Sequence, residues 1–277
     1  MSWRAGAVCV LIVVLTACMP SSVVPTPTAA PLAASPEPLR LVYSESTAPL
    51  IQAWVPAYQN HNSAVELVLL ERAMALAEQA LINGDMDVAL LAQLPSESAV
   101  PTYWSEPVAR EGLAIVVNPQ NGLPGLTEGQ LRELFQGRVE DWARWEGLPG
   151  LPVIVSREEG AGEYAYFQAQ VMGDFPVTLT ALLAPSSEAV LKMVGEKELA
   201  VGYLSTAWLD GRVRPLPLDG VSPSREMLAS GVYPLTRELY LVMRGEPQGA
   251  SRDFAQWVLG AEGQRIVAEQ GWVTVER

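Results

Sequence analysis

The segment 153–172 combines a buried strand, a glycine-rich turn and a helix, and it constrains the fold of the chain more than any other stretch. The apolar residues 153–155 are typical of a short buried strand, and an amphipathic helix is predicted over about 163–172. Between them lie Gly160, Ala161 and Gly162. A strand that passes through such a turn into a helix presents free backbone N–H groups and the positive end of a helix dipole.

Arg157 precedes this turn and suggests an anion site. Its guanidinium can offer two parallel N–H donors to a tetrahedral oxyanion. The alternative is an ordinary strand-to-helix turn that carries a surface arginine. The pattern alone leaves both interpretations open.

A second unit of the same kind opens the folded part of the chain. The alternating residues 39–43 predict a strand, and Ser44, Ser46 and Thr47 follow it. Pro49 suits the first turn of a helix that runs to about residue 60. Hydroxyl side chains at a helix start are most often caps, so this pattern by itself does not identify ligand contacts.

The remaining elements alternate between strands and helices. The near-continuous apolar stretch 108–117 predicts a buried strand that crosses between two halves, and 238–243 predicts a returning strand. Helices are predicted over 251–259 and 262–269, with a last strand over 272–275. Alternating strands and helices predict an α/β fold with parallel-rich sheets. Trp142 and Trp145 are interpreted as packing residues.

Composition narrows the range of possible functions. The chain has 277 residues and a formal net charge of −13, which disfavours a nucleic-acid partner. Both cysteines lie near the N-terminus, so no zinc-type cluster is expected. His61 is the only histidine and is predicted to lie in a loop. We therefore predict no catalytic residue, no metal site and no cofactor.

The N-terminus has the pattern of a bacterial lipoprotein signal. Arg4 precedes the short apolar run 5–17, and small residues lead to Cys18. Cleavage before Cys18 would leave it as the lipidated first residue. A plain secretory signal or an uncleaved anchor is the alternative. The segment 18–38 is rich in Pro, Ser, Thr and Ala, and this composition predicts a tether.

Several short sequence signatures are distributed between residue 39 and the C-terminus. SREEGAGE begins at Ser156, LTEGQLRELFQG at Leu126, AVGYLS at Ala200, YPLTRELY at Tyr233 and EGQ at Glu262. In their order along the chain these signatures resemble the periplasmic phosphate-binding proteins of ABC importers.

This resemblance implies an α/β, two-lobed periplasmic-binding-protein fold of type II with a hinge of two crossing strands. The first lobe would comprise 39–114 plus 238–277, and the second 115–237. The implied function is that of an extracytoplasmic solute-binding lipoprotein, lipid-anchored to the cell membrane, which delivers a small anion, phosphate or a similar one, to an importer permease. The protein would contact the membrane only through the lipid anchor. The implied ligand contacts are Ser44, Ser46, Thr47, Arg157, Gly160, Ala161 and Gly162.

Several positions depart from the family pattern. Ala161 stands where the family has serine, and Glu163 stands where it has threonine; Glu45 lies among the hydroxyls of the first loop. Ala92 and Gln93 replace a polar pair. Two unit charges ~4 Å apart repel by ~4 kcal/mol at an effective dielectric of ~20, so a carboxylate facing a bound dianion would weaken phosphate binding below the family norm. Alternatively, Glu45 and Glu163 point into solvent or cap their own helices.

These departures leave other functions open. One is a non-transport lipoprotein that senses a signal or holds a partner, with the same fold and a degenerate phosphate site. Another is a cleft that binds a different small ligand, with the carboxylates as hydrogen-bond acceptors. A hydrolytic enzyme is a third and remoter alternative, because no nucleophile–base pair can be assembled.

Overall fold

A computed structural model describes residues 38–94 and 103–275. The predicted signal peptide, Cys18 and the tether up to residue 37 lie outside the described residues. The strands in the described ranges are β1 (Leu39–Tyr43), β2 (Leu67–Glu71), β3 (Val88–Leu91), β4 (Tyr103–Val117), β5 (Val153–Arg157), β6 (Leu182–Ala184), β7 (Ala200–Ser205), β8 (Arg214–Pro215) and β9 (Thr236–Arg244).

The helices alternate with these strands, as the sequence predicts. None of those within 38–94 and 103–275 is long and apolar enough to cross a bilayer. The α-helices are α1 (Ala48–His61), α2 (Met74–Asn83), α3 (Glu128–Phe135), α4 (Gly162–Phe167), α5 (Ser187–Gly195), α6 (Arg225–Ala229), α7 (Gly249–Leu259) and α8 (Ala261–Glu269). One turn of π-helix, Gln168–Met172, continues α4.

The strands form one mixed sheet in the order β2-β1-β3-β9-β4-β7-β5-β6, and β8 pairs with β4. The pairs at the two ends of this order are parallel, whereas β9 and β4 are antiparallel to their neighbours. The first part of β4 pairs with β9 and its last part with β7. These two central strands are the crossing strands predicted from the sequence. The sheet is therefore less parallel than the alternation of elements predicts.

Aromatic side chains fill the two largest parts of the core. Near β1 and β3, Tyr58 packs edge-on against Phe254, with the ring centroids 5.0 Å apart. Near β5 and β7, Phe167 stacks on Tyr203 at 4.2 Å, which fixes α4 against the sheet. Trp142 is fully buried and its indole N–H donates to the Leu199 carbonyl at 2.9 Å, which confirms its packing role.

Gly263 in α8 illustrates why one sequence signature needs glycine. A Cβ built on Gly263 would lie 2.3 Å from the Val258 carbonyl oxygen at the end of α7, a contact that no side chain can make. Its own carbonyl accepts a 3.0 Å hydrogen bond from the Trp54 indole. The signature EGQ is thus explained by close packing of α7, α8 and α1.

Two predicted elements differ from the structure. Residues 272–275 do not form a strand, since only Val273 pairs, with Arg110 of β4. Trp272 is fully buried, so the apolar pattern there reflects packing rather than strand pairing. His61 is the last residue of α1 rather than part of a loop, although it is exposed as predicted.

Candidate functional site

The turn between β5 and α4 has the geometry predicted for it. Arg157 ends β5, and the backbone N–H of Ala161 donates to the Glu158 carbonyl at 2.9 Å. Ala161 is the N-cap of α4 and provides no side-chain cap. A Cβ on Gly162 would lie 3.1 Å from the Met74 sulfur, because the start of α2 packs against this turn. Among the described residues, no side chain therefore caps the first N–H groups of α4.

The hydroxyl loop after β1 forms a single 3₁₀ turn, Glu45–Thr47, before α1. The Ser44 and Ser46 hydroxyl oxygens lie 3.1 Å apart, and the Thr47 hydroxyl donates to the Ser44 carbonyl at 2.9 Å. Neither Ser44 nor Thr47 makes a side-chain cap bond. Their hydroxyls therefore stabilise the turn itself rather than the start of α1.

The structure brings the two loops to one cavity of about 420 Å³. Thr47 is fully buried and does not line it, and neither do Ala92 and Gln93. The start of α2 and the residues before α5 complete its wall. The predicted site residues that do line it are Ser44, Ser46, Arg157, Gly160, Ala161 and Gly162.

Arg157 is almost completely buried at the base of this cavity. Its Nη2 donates to Glu45 Oε2 at 3.0 Å, and its Nη1 donates to the Ser187 hydroxyl at 3.1 Å. Its Nε is buried and has no hydrogen-bond partner within the described residues. The Tyr203 hydroxyl accepts from the Arg157 backbone N–H at 3.2 Å, and burial raises the pKa of Tyr203 to about 12. Arg157 is thus a fixed cation and not a mobile surface side chain.

Glu45 faces this arginine and binds the start of a distant helix. Its Oε1 accepts from the Ser187 backbone N–H at 3.0 Å, and its Oε2 accepts from the Ser187 hydroxyl at 3.2 Å. Ser187 is the first residue of α5. Both proposed alternatives for Glu45, solvent exposure and capping of its own helix, are wrong, because the carboxylate is bound by Arg157 of β5 and Ser187 of α5.

Glu163 also points inward, toward two arginines. It is 1% exposed, and its Oε2 lies 3.6 Å from Arg157 Nη1. Its Oε1 lies 3.8 Å from Arg237 Nη2 and has no hydrogen-bond partner among the described groups. The proposed outward orientation of Glu163 is therefore wrong. The carboxylate is held between two cations at distances longer than a hydrogen bond.

Arg237 and Glu111 form a buried ion pair across the two crossing strands. They are opposite each other in the β4–β9 register, and Arg237 Nε donates to Glu111 Oε1 at 2.8 Å. Arg237 Nη1 also donates to the Gly162 carbonyl at 3.3 Å, while Ser205 and Trp272 donate to Glu111 Oε2. Burial lowers the pKa of Arg237, but the Glu111 and Glu163 carboxylates outweigh it and raise the pKa overall.

The charges in this cluster nearly cancel. Two guanidinium groups face three carboxylates, which leaves one negative charge in excess. The sequence patterns did not identify Glu111, Arg237 or Ser187 as site residues. Glu111 lies in the predicted strand 108–117, and Arg237 directly precedes the predicted strand 238–243, which was the available signal for the ion pair. Among the described residues, no group of three or more His, Cys, Asp or Glu could hold a metal ion.

The topology, with two strand-to-helix units that meet at a cavity, defines a periplasmic-binding-protein fold of type II. Solved structures with this fold include a phosphate transporter substrate-binding protein from Clostridium perfringens with bound phosphate. It is 24% identical to this chain, covers 86% of it and 99% of its own length, and gives a TM-score of 0.79. A phosphate transport receptor from Vibrio cholerae is 22% identical, with coverages of 86% and 100% and a TM-score of 0.76.

The chain belongs to the PBP superfamily, because the model of the PBP superfamily domain matches residues 27–262. The phosphate-binding protein PstS of Bacillus subtilis is 29% identical over 170 residues, which are 61% of this chain and 56% of that protein's length. PstS of Pseudomonas aeruginosa PAO1 is 25% identical over 267 residues, 85% of this chain and 82% of its own length. These relatives confirm the resemblance inferred from the sequence signatures.

Proposed function

We propose that this chain is the extracytoplasmic solute-binding lipoprotein of an ABC importer, and that it binds phosphate or a related small oxyanion in the cavity between the two loops. The observation that carries this proposal is the buried guanidinium of Arg157 beside the uncapped start of α4, in a cavity that Ser44 and Ser46 also line. A fixed cation and free helix amides are the donors that a tetrahedral oxyanion needs. The relatives named as phosphate-binding proteins support this choice of ligand.

The partners follow from this role. A binding lipoprotein hands its solute to a permease in the membrane, and the lipid on Cys18 keeps it near that permease. We propose no catalytic activity, because the only histidine is exposed and lies at the end of α1, away from the cavity-lining residues. The proposed lobes, 39–114 plus 238–277 and 115–237, would close on the solute by a hinge motion at β4 and β9.

Calorimetric titration of the purified protein with phosphate tests the proposed ligand, with sulfate and a simple carboxylate titrated in parallel. We expect one site with a dissociation constant above about 1 µM, because Ala161 lacks the hydroxyl donor and Glu45 and Glu163 face the arginine. Submicromolar phosphate binding would show that the carboxylates do not oppose the ligand. Absence of binding by all three anions would contradict the proposal.

A second candidate function is favoured by one observation, namely the carboxylate of Glu45 on the donors of Arg157 and Ser187. A lipoprotein that senses a signal or holds a partner does not have to bind a free anion, so the Glu45 carboxylate can occupy these donors permanently. Transport assays of phosphate in cells that lack the protein would distinguish the two functions. Unchanged phosphate uptake would support the second one.

Replacement of Cys18 by Ser is expected to release the protein from membranes. The small residues before Cys18 and the apolar run ahead of them predict lipidation at this cysteine. Fractionation of cells that express the two forms measures the effect, and Cys9→Ser is the matched control, because Cys9 lies in the segment that cleavage removes. A Cys18→Ser protein that stays with the membrane fraction would rule out the lipid anchor.

A further inference from the structure

Glu45 lies where it can replace a bound anion. It follows β1, which is second in the order of strands across the sheet, whereas Arg157 and Ser187 belong to β5 and α5 near the other end. Four strands, β3, β9, β4 and β7, lie between β1 and β5 in that order. The Glu45 contacts therefore join two distant parts of one curled sheet.

The partners of Glu45 are the kind of donors that hold oxyanions. They are a buried guanidinium, a hydroxyl and the first backbone N–H of the nine-residue helix α5. Charge-assisted bonds from such groups are the main source of oxyanion affinity in proteins. A carboxylate and a phosphate compete for the same donors, because both present acceptor oxygens with a negative charge.

Other contacts also join the two sides of the cleft. The Trp208 indole, after β7, donates to the Ser46 carbonyl at 3.1 Å, next to Glu45 in the chain. Met74 of α2 packs over Gly162 at the start of α4. At the same time, Arg157 Nε is buried and unpaired within the described part of the chain, and Arg157 lines the cavity. Glu45 thus accepts from Nη2 of Arg157 and the Ser187 hydroxyl accepts from Nη1, while Nε has no hydrogen-bond partner among the described groups.

We propose that Glu45 is a tethered occupant of the oxyanion site, which holds the cleft closed in the absence of ligand and which a free oxyanion must displace. The displacement of Glu45 by a free oxyanion rests on the proposed function, whereas the closing of the cleft by Glu45 does not. A protein whose binding-competent state is populated in only a fraction of molecules binds with its affinity reduced by that fraction. Glu45 is then the residue that sets how tightly the site holds its anion.

Glu45→Gln tests the inference, with Glu159→Gln as the matched control. Glutamine keeps the shape but presents an amide that cannot accept from Arg157 on its nitrogen side. Glu159 belongs to the same turn, is exposed and does not line the cavity, so its substitution removes the same charge without removing the contacts of Glu45. Glu45→Ala serves as a second variant, because glutamine can still accept from the Ser187 N–H through its oxygen.

Two measurements test the closing role of Glu45 and its competition with phosphate separately. Hydrogen exchange of the ligand-free proteins follows the peptide that contains Ser187, and phosphate titration measures affinity. For Glu45→Gln we expect exchange about 10-fold faster and phosphate binding about 10-fold tighter, as displacement of an occupant present in roughly nine of ten molecules implies. For Glu159→Gln we expect changes below about 3-fold in both. Thermal unfolding checks that each variant is folded.

Unchanged exchange in folded Glu45→Gln and Glu45→Ala would overturn the closing role of Glu45. Equal affinity of the original protein and both Glu45 variants for phosphate would overturn the competition, while measurable binding would leave the proposed function intact. If no protein bound phosphate but exchange responded as expected, the proposed function would fall. Glu45 would then remain the group that closes the cleft.

Discussion

Replacement of Arg237 by Met is expected to lower the free energy of unfolding by about 3–5 kcal/mol, because it leaves buried carboxylates without their cation. Arg237 is 6% exposed and pairs with Glu111, which is 1% exposed, and with Glu163 at longer range. Methionine fills similar space but cannot compensate either charge. Urea denaturation of the two proteins measures the difference.

Arg265→Met is the matched control. Arg265 also contacts two carboxylates, Glu262 at 2.7 Å and Glu269, but about half of its side chain is exposed. Exposed ion pairs are worth little, so this variant should lose less than about 1 kcal/mol. Similar losses in the two variants would show that burial does not govern the energy of the Arg237 cluster.

Replacement of Arg157 by Met is expected to weaken phosphate binding at least about 30-fold, since truncation of a buried charged partner costs about 2–5 kcal/mol. The guanidinium is buried in the wall of the cavity, where Glu45 and Ser187 fix it, and its neighbours Glu45 and Glu163 would remain as uncompensated negative charges. Titration calorimetry measures the loss, and thermal unfolding establishes that the variant is folded.

Arg72→Met distinguishes a specific contact from general attraction. Arg72 lines the same cavity, is exposed, and its Nη1 donates to the Glu71 carbonyl at 2.9 Å. Because its charge is screened by water, we expect its loss to change phosphate affinity less than about 3-fold. Equal losses in both variants would mean that the cavity attracts anions by its overall field and not by the fork of Arg157.

The sequence was sufficient to predict the elements that depend on local signals. The strand at 39–43 and the helix that starts near Pro49 are both found. The strand β4 begins earlier than predicted, at Tyr103. Ser105, Glu106 and Pro107 gave no strand signal there, and pairing with β9 decides the conformation. Local propensity is weaker than such tertiary pairing.

The two loops of the site were also predictable, since each is a local strand-to-helix unit. The orientation of the carboxylates was not. Glu45 is directed by Ser187, which lies far along the chain, and Glu163 by Arg237 on a strand that returns later. No pattern near Glu45 or Glu163 encodes those partners. The same limit applies to Glu111, whose partner becomes apparent only from the strand register.

The position of β9 between β3 and β4 bears on the order in which the molecule folds. β9 forms hydrogen bonds with β3 on one side and with β4 on the other, yet it lies near the C-terminus of the chain. Sheets that depend on pairing between segments distant in sequence fold slowly, because the entropy of loop closure is lost before the stabilising contacts form. A chain that stops before Thr236 lacks the strand that joins the two sides of its sheet. We therefore expect the first half of the chain to stay open to chaperones and proteases until synthesis is nearly complete.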